Sequence, residues 1–213
     1  MAINQPIGLT LVRDNERGMN ASAWNHNIHY HDLVLRSVPP GCRRALDVGC
    51  GQLLARHLAT HCQEVIGIDV DPDTLSCARS VSGAETRITF IDGDVMTHAF
   101  DDSFDLVTAV AVLHHLPLRP ALARFQNLLR SGGILSIIRL YRGSAPSDYA
   151  LAAVAVPANW ALRCRYCYTE VGAPVQDPRE TLHEIRTACD VMLPGAVIRR
   201  RLLFRYSLNW CKP

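Results

Sequence analysis

Solid apolar runs and stretches with helical spacing succeed one another along most of the chain. Residues Ser22 to Val38 carry Trp24, Ile28, Leu33 and Leu35 with Tyr30, which suits an interrupted helix ended by Pro39-Pro40-Gly41. From there the pattern predicts a strand over Ala45–Gly49, a helix over Gln52–Cys62 and a strand over Glu64–Asp69. Asp71-Pro72 then opens a helix as N-cap and first-turn proline. Thr86–Ile91 and Phe104–Val110 read as the third and fourth strands. A helix over Pro120–Arg130 buries Leu122, Phe125 and Leu129, Ser131-Gly132-Gly133 stops it, and Ile134–Leu140 is the fifth strand. Strands alternating with helices imply a parallel sheet covered on both faces. The chain finishes differently. Asp177-Pro178-Arg179-Glu180 signals a helix to about Val191. Ala196–Phe204 and Tyr206–Cys211 then follow too closely for a crossover helix and must pair antiparallel. The expectation is one α/β domain over residues 1–213: a Rossmann-like, doubly wound, mostly parallel seven-stranded sheet with a C-terminal antiparallel hairpin.

The chemistry concentrates where the first predicted strand turns into the first helix, Arg44-Ala45-Leu46-Asp47-Val48-Gly49-Cys50-Gly51-Gln52. Two glycines let a ligand approach the backbone closely, and the ligand then meets the positive end of the following helix. Asp69, at the end of the second strand, can accept from both hydroxyls of a ribose. Ile91-Asp92-Gly93-Asp94-Val95, after the third strand, offers an acid for an amino group and an apolar neighbour for a ring.

On these motifs the chain resembles the class I S-adenosylmethionine (SAM)-dependent methyltransferases, in particular the small-molecule group, from about Trp24 to the C-terminus. The resemblance implies SAM as cofactor. It places Asp47 at the amino group of the methionine part and Asp69 at the ribose, with Gly49, Cys50, Gly51 and Val70 also binding the cofactor. Asp94 and Val95 fall at the adenine, and Val110 and Ala111 along the methionine end. The purely structural alternatives are a loop-capping Asp47, a helix-capping Asp69 and core roles for Val110 and Ala111. The family pattern Gly-x-Gly-x-Gly departs after Gly51, where Gln52-Leu53 follows, so the loop is read as one residue shorter. That departure motivates a second reading, a SAM-binding but non-catalytic partner protein. A nicotinamide-dependent reductase is a third, weakened by Leu54 standing where its fingerprint needs glycine.

Methyl transfer from SAM needs a nucleophile held in line and water kept out, with a general base where the nucleophile arrives protonated. His115, and after it His114, lie just beyond the fourth strand and are the catalytic candidates. Arg139, Tyr141 and Arg142 at the end of the fifth strand, with Tyr30 from the N-terminal lid helix, are the substrate candidates. An arginine there suits an anionic or carbonyl-bearing group, or else a surface salt bridge. Residues 1–40 are read as an arm and lid. Residues 143–176, with Tyr149, Trp160, Tyr166 and Tyr168, are read as a cover favouring an apolar or aromatic small molecule.

Composition narrows the partners. A formal net charge of +2 makes no electrostatic case for nucleic acid or a membrane surface, and Arg199-Arg200-Arg201 reads as a solvated strand edge. Met1 to Arg17 lacks an apolar leader pattern, and the longest apolar run, Ala150 to Leu162, is too short to span a bilayer. Eight cysteines without disulfide-like spacing suit a reduced cytoplasmic protein. Cys164-x-x-Cys167 has no second pair, and His26, His29 and His31 do not share a helix face, so no metal is expected.

Overall fold

A computed structural model of the chain describes residues 27–51, 53–146, 148–149, 177–202 and 204–213, with the backbone of residues 23–24 and 167–168. Seven strands form one sheet: β1 (Arg44–Val48), β2 (Glu64–Asp69), β3 (Ile88–Asp92), β4 (Phe104–Val110), β5 (Leu129–Leu140), β6 (Val197–Arg201) and β7 (Arg205–Cys211). Their order is β3-β2-β1-β4-β5-β7-β6. The first five run parallel, and β7 lies antiparallel to both β5 and β6. The order reverses direction between β1 and β4, so their carboxyl ends open a crevice, the usual ligand position in such sheets.

The helices are α1 (His31–Leu35), α2 (Leu54–Ala59), α3 (Pro72–Ser82), α4 (Leu118–Leu128) and α5 (Leu182–Met192). They divide the core in two. Leu46, Val107, Leu135 and Ile137 pack with Leu122, Phe125 and Ile185 of α4 and α5. Ala45, Val65, Leu106 and Ile138 pack with Val34, Leu54 and Leu58 of α1 and α2. Both faces of β4 are therefore buried, which is why Phe104–Val110 is mostly apolar without alternation.

Several boundaries differ from expectation for physical reasons. The N-terminal helix is a single 3₁₀ turn, Ile28–Tyr30, leading into α1. Helix α2 is shorter at both ends: Leu53 supplies no side-chain cap, and Thr60 closes the last turn onto His57. Ser131-Gly132-Gly133 does not stop a helix. It lies inside β5, where Gly132 takes φ 75° and a Cβ on Gly133 would stand 2.9 Å from the Arg130 and Phe104 carbonyl oxygens. Glycine here permits a bulge between paired strands. The cap of α5 is Thr181, not Asp177. Its hydroxyl accepts from the Glu184 N–H while the Glu184 carboxylate accepts from the Thr181 N–H, a complete capping box. Glu180 is thereby freed for another partner. Asp71 caps α3 as expected, accepting from Asp73 and Thr74.

Two acids on adjacent strands show what each end of the sheet does. Asp105, at the start of β4, is 2% exposed. It accepts from the Arg43 and Arg44 N–H groups at 2.6 and 2.8 Å and pairs with Arg130. Every demand of that carboxylate is met inside the protein. Asp47, at the opposite end of β1, is treated otherwise.

Candidate active site

Asp47 is 1% exposed and stands in register between Thr108 of β4 and Gly67 of β2. The Thr108 hydroxyl donates to Oδ1 at 2.8 Å, but Oδ2 has no partner. Burial pushes the Asp47 carboxyl up to about 8, with the Thr108 bond opposing and the charge of Asp69 adding. A buried acceptor left empty at the carboxyl edge of the sheet is a group waiting for a donor.

The loop above it is bare backbone. Gly49 and Gly51 take φ of 60° and 51°, a region open to glycine at little cost. A Cβ on Gly49 would stand 2.1 Å from Val112 Cγ2, so the closing residue also has to be small. The Gly49 N–H is tied to the Ile68 carbonyl at 2.8 Å, which docks the loop on β2. Cys50 is buried, and its sulfur fills the space a Cβ on Gly67 would need. Only its backbone remains for a ligand.

Asp69 Oδ1 accepts from the Asp71 N–H at 3.1 Å. Burial raises its pKa, while the N–H groups of Asp71, Gly51 and Val70 act the other way. Asp69 and the glycine loop thus meet at one point. Ala111, just past β4, takes φ 58°, a strained conformation for alanine that the Ala111 N–H bond to Ile138 O holds. Val110 is buried beside it, and Val70 is 68% exposed at the end of β2. Asp94 is exposed and accepts from the Met96 N–H at 2.9 Å. Val95 turns into the core, 4% exposed, so its side chain is not on the open side of that turn.

The two histidines form one turn, Leu113–His115, with ring centroids 4.0 Å apart. His114 is buried with Nδ1 unpartnered. Burial, with the charges of His115, Arg139 and Arg205, pushes it down to about 4. His115 is exposed. Tyr30 is buried, donates to the Leu202 carbonyl at 3.2 Å and lies under the Arg205 guanidinium.

The trio at the end of β5 does not act together. Arg139 is 1% exposed and bonds Glu180 through Nη2 at 2.5 Å. Tyr141 is buried and donates to Asp148 at 3.1 Å, and burial pushes its pKa up to about 12. The Arg142 side chain is 59% exposed, 4.0 Å from Glu184. It forms the surface ion pair allowed for above. Thr108, Val112, Arg205 and Tyr206 were not singled out by sequence as site residues, and Glu180 only as a capping acid. A threonine in the middle of a mostly apolar strand was the one available signal among them.

The model of the "Methyltransferase domain" family matches residues 46–137, the span from β1 into β5. An uncharacterized methyltransferase of Mycobacterium bovis is 36% identical over 194 residues, covering 89% of this chain and 98% of that protein. The chain belongs to the SAM-dependent methyltransferases. Its cofactor is SAM and it is an enzyme of that family. Among solved structures, the N-methyltransferase NodS of Bradyrhizobium japonicum WM9 in complex with S-adenosylhomocysteine shares the fold. Its TM-score is 0.59 at 18% identity, over 87% of each chain. SAM-bound CalS10 of Micromonospora echinaspora, an amino pentose methyltransferase, superposes with TM-score 0.60 at 18% identity, over 89% of this chain and 92% of that one. With the methyltransferase fold and family in place, the nicotinamide alternative falls away. Cys164, Trp160, Tyr166 and His26, and the side chain of Cys167, lie outside the described residues. No helix among the described residues is long and apolar enough to cross a membrane.

Proposed function

We propose that this methyltransferase acts on an oxygen, nitrogen or carbon atom of a small molecule with an apolar or aromatic body, using the crevice at the carboxyl ends of β1, β2 and β4. The observation that carries this reading is the unpartnered Oδ2 of buried Asp47 beneath the bare Gly49–Gly51 loop. A cationic amino group fits that vacancy, and glycine backbone fits a close-lying ligand. SAM bound there supplies a methyl group already activated on a positively charged sulfur. Asp47 receives the amino group, Asp69 takes the ribose hydroxyls, and the exposed Val70 covers an adenine face opposite Asp94. Cys50 and Gly51 contribute backbone, and Val110 and Ala111 wall the methionine end.

Because the transfer neutralises charge, the protein needs positioning and water exclusion more than anion stabilisation. Where the nucleophile carries a proton, His115 takes it. His114, neutral at physiological pH because burial holds it near 4, serves as an orienting group. The N-terminal segment and the 143–176 insertion, most of which lies outside the described residues, are assigned as lid and cover. The backbone pairing of Ala23–Trp24 with Cys167–Tyr168 supports a joint role, as does Tyr149, 60% exposed and edge-on to Phe204. The described cysteines are free thiols, in keeping with a reducing cytoplasmic setting and without nucleic-acid or membrane partners.

Calorimetric titration with SAM and S-adenosylhomocysteine tests the site. Asp69→Asn should weaken both by about 10²-fold, two charge-assisted hydrogen bonds being reduced to neutral ones. Equal affinity of Asp69→Asn and the native chain would sink the assignment.

A further inference from the structure

Arg139 and Tyr206 are register partners on β5 and β7, so their side chains leave the same face of the sheet. That face carries Leu135, Ile137 and Leu208 and is covered by Ile185 of α5. The strand ends concerned lie at the edge that carries Asp47 and Ala111. Glu180 occupies Nη2 of Arg139 and the guanidinium also leans on the Tyr206 oxygen, but Nε and Nη1 reach no acceptor in good geometry, and the proton of the Tyr206 hydroxyl has none. His114 Nδ1, also unpartnered, lies within reach of the Arg139 charge.

A structural ion pair does not need this arrangement. Each unmet buried donor opposes folding, and an apolar residue would pack there more favourably. The surplus consists almost wholly of donors, on a cation already balanced by one acid. It therefore asks for acceptor oxygens and disfavours an amine.

We propose that the acceptor molecule carries a carboxylate, received by the spare donors of Arg139 together with the Tyr206 hydroxyl. The assignment deepens the small-molecule reading above and rests on it. The carboxylate anchors one end of the acceptor beside His114, three residues beyond Ala111, and so aims the rest of the molecule toward the methyl-transfer crevice. Specificity then comes from an unmet hydrogen-bonding demand, which rejects neutral isosteres more sharply than an apolar pocket does.

Thermal unfolding of the chain loaded with S-adenosylhomocysteine provides the test. Benzoate and hexanoate are compared with benzamide and hexanamide at fixed ionic strength. Both carboxylates should raise the melting temperature with concentration and their amides should not. Tyr206→Phe and Arg139→Lys should each raise the half-saturating carboxylate concentration at least about tenfold without changing affinity for S-adenosylhomocysteine. Tyr206→Phe removes a hydroxyl whose proton has no acceptor and leaves the Arg139–Glu180 pair in place, so it keeps the fold even if Arg139→Lys does not. Equal shifts from acid and amide, no shift from either acid, or undiminished carboxylate binding in Tyr206→Phe would overturn the proposal. Failure of the native chain to bind S-adenosylhomocysteine would refute the cofactor site instead, and the acid and amide pairs would then be scored on the unloaded chain.

Discussion

Asp47→Asn isolates the group on which the cofactor site turns. In the empty folded chain burial raises the Asp47 carboxyl from 3.8 to about 8, whereas in the unfolded chain it ionises as an ordinary carboxylate. Between those values the folded state holds a proton that the unfolded state has lost. Its contribution to stability is therefore complete below the unfolded pKa and declines as pH rises, by about 1.4 kcal/mol per unit, until about pH 8. From pH 6.5 to 8 the expected loss is about 2 kcal/mol, or roughly 4–8 °C in melting temperature for a chain of this size. Asparagine keeps an oxygen for the Thr108 hydroxyl and cannot titrate, so the variant should show a nearly flat profile over that window and melt higher than the native chain at pH 8. It should also lose most of its affinity for S-adenosylhomocysteine, whose amino group then meets no charge. The assay is thermal unfolding of the empty protein at half-unit pH steps, with calorimetric titration at each end. Parallel native and variant profiles would refute the argument, because they would mean that Asp47 is ionised and satisfied in the empty fold.

Three further outcomes follow from the same geometry. Gly49→Ala should lose about 2–4 kcal/mol in denaturant unfolding, combining the clash with Val112 and the cost of φ 60°; adding Val112→Ala should restore only the part due to the clash. His115→Gln should lower kcat by about 10²-fold for an acceptor that arrives protonated, leaving affinity for S-adenosylhomocysteine unchanged in calorimetry; an unaltered kcat with such an acceptor would remove it as the base. Acid should unfold the protein partly through His31, held down to about 3 by burial and by His57, whose ring nitrogen is 3.4 Å away. A neutral buried histidine contributes stability that is full above the unfolded value and fades as pH falls toward the folded one. His31→Phe should move the acid midpoint monitored by circular dichroism to lower pH, and an unchanged midpoint would place the acid sensitivity elsewhere.

Local pattern was enough to settle the order of elements and which strand ends meet at the crevice. Glu64–Asp69 and Phe104–Val110 run as strands over the expected residues, because their apolar runs are buried on both faces and bounded by turn residues. Asp71-Pro72 starts α3 where its chemistry says it should, since capping is decided within four residues. Asp47, Gly49, Gly51 and Asp69 could be placed together because strand ends and the turns after them share one edge in any parallel sheet of this kind. Tertiary structure decided the rest. Glycines at 132 and 133 look like a helix stop until β4 stands close enough to require a bulge. Glu180 looks like a capping acid until Thr181 takes that role, leaving its carboxylate for Arg139. Arg139 itself looks like a crevice side chain. Alternation puts it on one face of β5 or the other, but both faces are covered, and only the packing of α5 and β7 shows that its charge is buried with donors to spare. Hydrogen-bond demand left unmet in the interior is a property of three-dimensional neighbours, and no spacing along the chain encodes it.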